Sequence, residues 1–334
     1  MQVHIGLWIK TASGDLTEGK SLHVQTPEEA LAQALSSVGL QASPIANRKL
    51  QHGAPASAIE RQIKNAGGAM DATGAFVTSA TLLELQEIQD QLKDQSYYVQ
   101  SLRISHQGDD LRFTACWRTQ KATRLELELS KSELVSVIQS MTLEGYRAID
   151  IGGYCSERFE DTDAKYWVIW ESASEANQKQ IVRIALDNDE RVKIFTELRG
   201  DHHPIARQAF FDSQDQIRFC EIWEPTDKDN SPLWAIFTQP PERMPEQFFA
   251  FKHIQCQSVD MAQSKISLDK MMSVEWRNVA ETSDFKVLHS LPQEILISAG
   301  RELLAQGFEP ISMCVSDGAS GNQHCAAVWR RQKH

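Results

Sequence analysis

The chain has 334 residues, of which 41% are hydrophobic and 24% are charged, proportions typical of a globular protein and unlike those of collagen, a coiled coil or a disordered chain. Its 34 basic and 45 acidic residues give a formal net charge of −11, which argues against nucleic acid and anionic membrane as partners. No apolar run reaches the roughly 20 residues of a membrane-spanning helix, and residues 1–11 lack the pattern of a secretory signal. We therefore expect a cytoplasmic protein.

The first quarter of the chain has a weaker pattern than the rest. Residues 5–8 resemble a strand ending in Trp8, and residues 1–25 as a whole are predicted to be an isolated strand and a linker. Thr26-Pro-Glu-Glu29 is typical of a helix start, and that helix should end before Gly39. Residues 46–72 look like an inserted loop, followed by a weak strand at 74–78. We interpret residues 26–79 as a divergent first repeat with an inserted loop.

Five of the eight tryptophans recur at a constant spacing. Successive members of the set Trp117, Trp170, Trp223, Trp276 and Trp329 are 53 residues apart. Each ends a short segment with strand character, and residues two and four places earlier share a strand face with the Trp. Four places earlier stand Phe113, Tyr166, Phe219, Met272 and Cys325, and two places earlier stand Ala115, Val168, Glu221, Val274 and Ala327. Except at Glu221, the pattern predicts an apolar face packed against a helix.

Capped helices precede several of these strands. Ser130 and Glu133 form a capping box that opens a helix ending before Gly145. The last repeat repeats this pattern: Ser290 is the expected cap, Pro292 lies in the first turn, and the helix should end before Gly307. Glycine followed by a hydrophobic residue at these ends predicts a left-handed helix cap. Residues 177–200 are interpreted as two short helices, and the prolines near residue 240 should break a helix in the next unit.

An extended segment and a turn connect each helix to its Trp strand. We therefore predict an α+β fold for residues 1–334 as a single repeat domain, built from tandem helix-strand-strand repeats of about 53 residues whose antiparallel hairpins pack with helices. Residues 80–334 comprise five repeats, each ending in one of the five periodic Trp strands. Because the chain begins in the middle of a repeat, either the array closes into a ring or it is an open array cut from a longer one.

The recurring phrases resemble a known family. Gly307-Phe-Glu-Pro-Ile-Ser and Ala326-Ala-Val-Trp329, with Gly145-Tyr-Arg-Ala-Ile and Arg218-Phe-Cys-Glu-Ile-Trp223, resemble the GYRP-I-S and RFAAVW pattern of bacterial tandem repeat domains. Similar repeats occur in regions appended to planctomycete kinases and in the N-terminal part of polyglycine hydrolases. The resemblance covers roughly residues 80–334 and implies an appended interaction region. It implies no catalytic residue.

The sequence contains few candidates for chemistry. Its six cysteines (Cys116, Cys155, Cys220, Cys256, Cys314 and Cys325) form no Cys-x-x-Cys pair, so we expect buried reduced thiols and no metal site or cofactor. No complete motif set of a kinase, a P-loop protein or a β-lactamase-like enzyme is present. Asp201, His202 and His203 form the one local group of side chains suited to metal binding or acid–base chemistry, although a solvated turn also explains them.

Two functions remain open. The favoured hypothesis is a non-catalytic module that binds a protein or peptide through loops on one face of the array, because repetition without a catalytic constellation is typical of binding scaffolds. The module could belong to a larger multidomain protein. The alternative is a hydrolase-like enzyme whose site is assembled from loops of different repeats, with His202 or His203 at its centre.

Overall fold

The computed structural model describes residues 9–10, 16–17, 27–39, 57–107, 110–119, 121–155, 163–173, 179–226, 234–239, 255–263, 270–277, 283–317 and 323–332. For the strands in residues 9–17 and 234–277 the description covers the backbone alone. Three predictions thus lie outside the described residues: the strand at residues 5–8, the break of a helix by the prolines near residue 240, and the side chains of Cys256 and Trp276. Within them the fold is mixed helix and strand, with six helices and six antiparallel sheets.

The helices are α1 (Pro27–Ser37), α2 (Ala58–Asn65), α3 (Leu82–Asp94), α4 (Lys131–Leu143), α5 (Asn188–Leu198) and α6 (Gln293–Ala305). The first nine strands are β1 (Ile9–Lys10), β2 (Leu16–Thr17), β3 (Ala69–Met70), β4 (Gly74–Ala80), β5 (Tyr98–Gln107), β6 (Asp110–Arg118), β7 (Thr123–Leu129), β8 (Tyr146–Tyr154) and β9 (Lys165–Ser172). The others are β10 (Ile181–Leu186), β11 (His202–Phe211), β12 (Ile217–Pro225), β13 (Trp234–Gln239), β14 (Gln255–Gln263), β15 (Lys270–Arg277), β16 (Ser283–Leu291), β17 (Glu309–Asp317) and β18 (Gln323–Gln332). No helix among the described residues has the length and apolar character needed to cross a membrane.

Five of the six sheets have the same strand order, with the Trp strand in the centre. The shared orders are β4-β6-β5, β7-β9-β8, β10-β12-β11, β13-β15-β14 and β16-β18-β17, and we number these sheets one to five. Sheet one has β3 as a fourth strand beside β4. In sheet one, β4 and β5 both pair antiparallel with β6 and therefore run parallel to each other, with α3 as the crossover between them. Each Trp strand thus has a partner on both sides. In sheets one, two, three and five, one partner precedes a described helix and the other follows it.

A register shift recurs beside the Trp in β5, β8, β11, β14 and β17. Immediately beyond the residue paired with the Trp, the register slips by one residue in all five sheets, at Val99, Ala148, Pro204, Cys256 and Pro310. A second shift lies in the other outer strand of four sheets, in β4, β7, β10 and β16. At this shift Glu128 of β7 and Ala185 of β10 adopt positive φ angles of 61° and 55°. Such bulges increase the local twist of a strand and redirect its side chains.

The Trp face is buried, as the sequence pattern predicts, in the four Trp strands whose side chains the structure describes. Trp117, Trp170, Trp223 and Trp329 are at most 1% exposed. In sheet one, Phe113, Ala115 and Trp117 share a cluster with the inward residues of α3. The corresponding Trp-face residues of sheets two and five are buried in the same way, so the helix of each of these units covers the Trp face of its own sheet.

In sheets one and two, the face opposite the Trp packs on the cluster of a neighbouring sheet. Trp167 and Ile169, which lie between the Trp-face positions of β9, join the cluster of sheet one. In the same way Phe76 and Cys116 of sheet one join the cluster of sheet five, where the Phe76 and Trp329 rings meet edge to face at 5.6 Å. The first and last sheets are therefore in direct contact.

The contacts between sheets return to their starting point. Strand β5 contacts β8, β8 contacts β11, β11 contacts β14, β14 contacts β17, and β17 contacts β5. The last contact is reinforced by Gln293 Nε2, which donates a hydrogen bond of 2.8 Å to Thr78 Oγ1 across 215 residues of sequence. Each of the strands β5, β8, β11, β14 and β17 is thus in contact with two others of the set.

The predicted helix ends are confirmed at three glycines. Gly39, Gly145 and Gly307 have φ angles of 73°, 82° and 77°, the left-handed conformation in which glycine carries no Cβ penalty. The capping box of Ser130 and Glu133 is also confirmed. The five described cysteines are buried and form no disulfide, as expected.

Several local predictions were wrong. Residues 177–200 contain one helix, α5, preceded by strand β10, because the pattern of Ile181, Ile184 and Ala185 fits a short strand as well as a helical stripe. Helix α6 has Pro292 as its N-cap residue, and Ser290 lies in β16. The expected inserted loop contains α2 and β3.

Candidate functional site

The three predicted site residues lie at the junction of α5 and β11. Asp201 is exposed in the turn, and His202 and His203 open the strand opposite Pro225 and Glu224. Because consecutive strand residues point to opposite faces, the two imidazoles diverge. His203 Nδ1 lies 3.4 Å from Thr226 Oγ1. Among the described residues no three His, Cys, Asp or Glu side chains are grouped so that they could hold a metal ion.

His203 belongs to a larger polar arrangement at one end of the sheets, where the Trp strands end. The residue that follows each described Trp side chain is charged, and it pairs with the beginning of the strand after the helix. These pairs are Arg118 with Tyr98, Glu171 with Arg147, Glu224 with His203, and Arg330 with Glu309. We call these eight residues the charged face.

Ion pairs of the charged face join neighbouring sheets. Arg147 binds Glu171 of its own sheet, and its Nη1 lies 2.5 Å from Glu224 Oε1 of sheet three. Glu309 lies 3.3 Å from Arg330 of its own sheet and 3.5 Å from Arg118 of sheet one. Each of these two residues therefore makes one contact within its sheet and one across a boundary between sheets.

Two arginines of the charged face, Arg118 and Arg147, have shifted pKa values and remain cationic at neutral pH. Partial burial disfavours the charged form of Arg147, but the carboxylates of Glu224 and Glu171 outweigh this effect and raise its pKa. Burial, assisted by repulsion from Arg330, lowers the pKa of Arg118 to about 10. Since Arg118 and Arg330 share Glu309, this part of the charged face has one more positive than negative group.

A second ionic contact is buried between sheets one and two. Arg103 Nη1 lies 2.6 Å from Asp150 Oδ2, and both side chains are nearly inaccessible, with 4% and 6% exposure. Asp150 also accepts a hydrogen bond from the backbone N–H of Leu102. Burial raises the pKa of Asp150, while Arg103 opposes that shift. The pair links two strands that follow helices, and it leaves no surface for a substrate.

The buried thiols are unsuited to nucleophilic chemistry. Burial raises the pKa of Cys116 to about 12, and it raises the pKa of Cys325 further. Because the thiolate is the reactive form of cysteine, both groups are protonated and inert at neutral pH. We therefore assign them to packing.

A cleft opens between α3 and β7, close to the charged face. It has a volume of about 750 Å³, within the range of ligand-binding pockets. Leu85, Leu125 and Leu127 provide its apolar surface. The remaining lining residues are polar: Gln86, Gln89, Asp90, Lys93, Thr123, Arg124 and Tyr146. Thr123 pairs with Glu171 and Tyr146 precedes Arg147, so the cleft and the charged face lie at the same end of the sheets. We call it the α3–β7 cleft.

Of the residues in the charged face and the α3–β7 cleft, the sequence analysis predicted only His203 as a site residue. A signal was present, since the residue after every periodic Trp is charged: Arg118, Glu171, Glu224, Arg277 and Arg330. The cleft has no comparable signal in the sequence. Helix α3 packs on sheet one and β7 belongs to sheet two, so the distance between them depends on how the two sheets pack.

Comparison with known proteins supports the resemblance at the end of the chain. No curated protein sequence matches the chain significantly. The segment from residue 285 to residue 332 matches the family model described as polyglycine hydrolase-like, structural repeat. It spans most of β16 and all of α6, β17 and β18.

Proposed function

We propose that the chain is a ring of five tandem repeats that binds a protein or peptide at its charged end without catalysing a reaction. In this proposal each unit begins one strand earlier than the sequence pattern predicts. The units are residues 74–118, 123–172, 181–225, 234–277 and 283–332. In four of them the described elements follow the order strand, helix, strand, Trp strand, and in the unit 234–277 three strands are described. The shared strand order and the recurring register shift support this division, as does the contact of β17 with β5.

The observation that carries the binding function is the α3–β7 cleft. An open cleft of about 750 Å³ with an apolar floor and a polar rim can bury part of a partner and satisfy its polar groups at the edge. Its rim residues Asp90, Lys93 and Arg124 are exposed and need little rearrangement to meet a partner. The adjacent charged face supplies further polar contacts at the same end.

The chemical features of the described residues favour binding over catalysis. His202 and His203 diverge, and the two thiols with raised pKa values are protonated at neutral pH. A nucleophile or general base requires a partner within hydrogen-bonding reach and a suitable pKa. The hydrolase-like alternative thus stays a prediction without a supporting pair of groups.

Site-specific photo-crosslinking tests this function. A photoreactive amino acid replaces the exposed Lys93 at the cleft in the full chain, expressed in its own source. The matched control carries the same group at the exposed Lys131, which begins α4 at the opposite end of the sheets. We expect a partner cross-linked from position 93 and not from position 131, and we expect its yield to fall when Arg124→Glu is added.

Two results would refute the binding function. One is the absence of any cross-linked protein from position 93, and the other is the same set of proteins from both positions. Mass spectrometry of the cross-linked peptides identifies the proteins captured from each position and so distinguishes these results from the expected one.

A further inference from the structure

Sheet one shows how an additional strand is accommodated at the outer edge of a sheet. Strand β3 pairs antiparallel with β4, so that Ala69 lies opposite Phe76 and Met70 lies opposite Ala75. The same strand contacts α6, and Ala69 packs on the cluster to which α6 contributes. In sheet one, β3 therefore fills the space between the outer strand of the sheet and the helix of the preceding unit.

The close fit of β3 is visible at the glycine before it. A Cβ atom at Gly68 would lie 1.9 Å from the carbonyl oxygen of Phe76, a distance that no side chain tolerates. The backbone of the added segment thus lies directly against the backbone of β4, as strand addition requires.

The α3–β7 cleft is the corresponding place in sheet two. Ala75 of β4 pairs with Trp117, and Arg124 of β7 pairs with Trp170, so the two outer strands have matching registers. The cleft is lined by β7 and α3, just as β3 lies between β4 and α6. Within the described part of the chain, β7 pairs with β9 alone. Its outer edge therefore presents the unpaired backbone groups that invite another strand.

We propose that the α3–β7 cleft binds an extended segment of a partner protein, which adds to β7 as a fourth strand. This inference rests on the proposed binding function and specifies its mode. The occupant is an extended peptide whose backbone bonds to β7 and whose alternate side chains enter the cleft.

The position of β3 defines the chemistry of that peptide. The side chain opposite Leu125 corresponds to Ala69 and faces α3, where Leu85 and Leu127 favour a small apolar group. The side chain opposite Arg124 corresponds to Met70 and points to the other face of the strand. Residues Thr123 to Leu127 cover about 13 Å at the rise of a strand, so about five peptide residues fill the edge. Proline is excluded where the peptide must donate a hydrogen bond to β7.

The test uses a random library of linear twelve-residue peptides, displayed on phage and selected on the full chain. We expect enriched peptides that lack proline in the bound core and carry small apolar residues at alternate positions. Synthetic copies are then methylated at one backbone nitrogen at a time. Since alternate N–H groups point toward β7, affinity should fall about tenfold or more at every second position and change little between them.

A second measurement locates the peptide. Hydrogen exchange of the amides in residues 123–127 should slow when the peptide is added. Gln86→Trp, which fills the cleft from an exposed position of α3, should reduce affinity about tenfold. Asp94→Trp is the matched control, because Asp94 is an exposed residue of α3 outside the cleft lining, and it should leave affinity unchanged.

The outcomes separate the mode of binding from the function. Failure to enrich any peptide, or loss of affinity without a two-residue period and without protection of residues 123–127, overturns strand addition. Self-association of the chain through β7, seen as a dimer that the enriched peptides do not dissociate, also overturns it in favour of a second copy as the occupant. In each case the cross-linking result from position 93 still decides whether the charged end binds a partner.

Discussion

At the residue scale, Glu221 stands where an apolar side chain is expected. It pairs across the sheet with Arg207, and the guanidinium Nε lies 3.3 Å from the carboxylate. The indole N–H of Trp223 donates a 2.9 Å hydrogen bond to the same carboxylate. Both charged side chains are almost completely buried, with exposures of 5% and 3%. The corresponding cross-strand pairs in three other sheets are apolar: Leu102 with Ala115, Ile151 with Val168, and Met313 with Ala327.

This substitution of charge for apolar packing leads to a prediction. Glu221→Ala leaves Arg207 buried without its carboxylate, and we expect the free energy of unfolding to fall by about 3 to 5 kcal/mol. Replacing both residues, as Arg207→Leu with Glu221→Val, should restore stability to about the original value, because an apolar pair carries no desolvation cost. Urea denaturation of the single and double variants measures both effects. A double variant as unstable as Glu221→Ala would contradict this account.

The periodic Trp side chains should dominate the stability of their units. Trp170 is 1% exposed within the core of sheet two, so Trp170→Ala should lower the free energy of unfolding by about 3 to 5 kcal/mol. Leu143→Ala is the control, since Leu143 is 89% exposed and its truncation should change stability by less than about 0.5 kcal/mol. If denaturant titrations show that Trp170→Ala lowers the free energy of unfolding by less than about 1 kcal/mol, the Trp170 side chain is not a main contributor to the core.

His289 makes stability depend on pH. Burial lowers its pKa from 6.5 to about 4 in the folded protein, so between these values the unfolded chain binds a proton that the folded chain does not. Stability should therefore be lost as the pH falls from about 6.5 to about 4. Equilibrium unfolding at several pH values should show a smaller decrease for His289→Asn than for the original chain. Equal slopes for the two proteins would rule out this role.

At the scale of elements, the sequence predicted the helices and strands in which hydrophobic periodicity is combined with a cap or a marker residue. The Trp strands and the helices that end at Gly145 and Gly307 belong to this class. The strands before the helices were largely missed. Strand β7 has a clear strand pattern, with alternating leucine residues at 125, 127 and 129. It was missed because only two strands were predicted for each repeat, both of them after the helix. Strand β10 is short enough for either structure.

The cap of α4 provides a test at this scale. Ser130 accepts a hydrogen bond from the backbone N–H of Glu133, and the carboxylate of Glu133 accepts one in return from the backbone N–H of Ser130. Ser130→Ala removes the side-chain acceptor and should lower the free energy of unfolding by about 1 kcal/mol. Ser136→Ala, in the exposed middle of the same helix, should be neutral or slightly stabilising because alanine favours the helix interior. Thermal unfolding compares the two, and equal effects would contradict the role of the cap.

At the scale of the whole molecule, the contacts that join the sheets were not predicted from the sequence. Arg147 and Glu224 are 77 residues apart, and Thr78 and Gln293 are 215 residues apart. Their proximity follows from the packing of whole sheets against one another and leaves no local pattern in the chain. The period of the tryptophans suggested that units stack, but it left the choice between a ring and an open array undecided. The positions of the side chains in the charged face and the cleft likewise depend on how the sheets pack.

The ring is the central claim, and the contact between its first and last units tests it most directly. A photoreactive benzophenone side chain at position 293 of the monomeric protein, followed by mass spectrometry of the cross-linked peptides, reports what lies beside the start of α6. We expect an intramolecular cross-link to the segment 66–78, since Gln293 contacts Thr78 and lies near Gly67. Cross-links confined to residues close in sequence, with none to residues 57–80, would show an open array and contradict the ring.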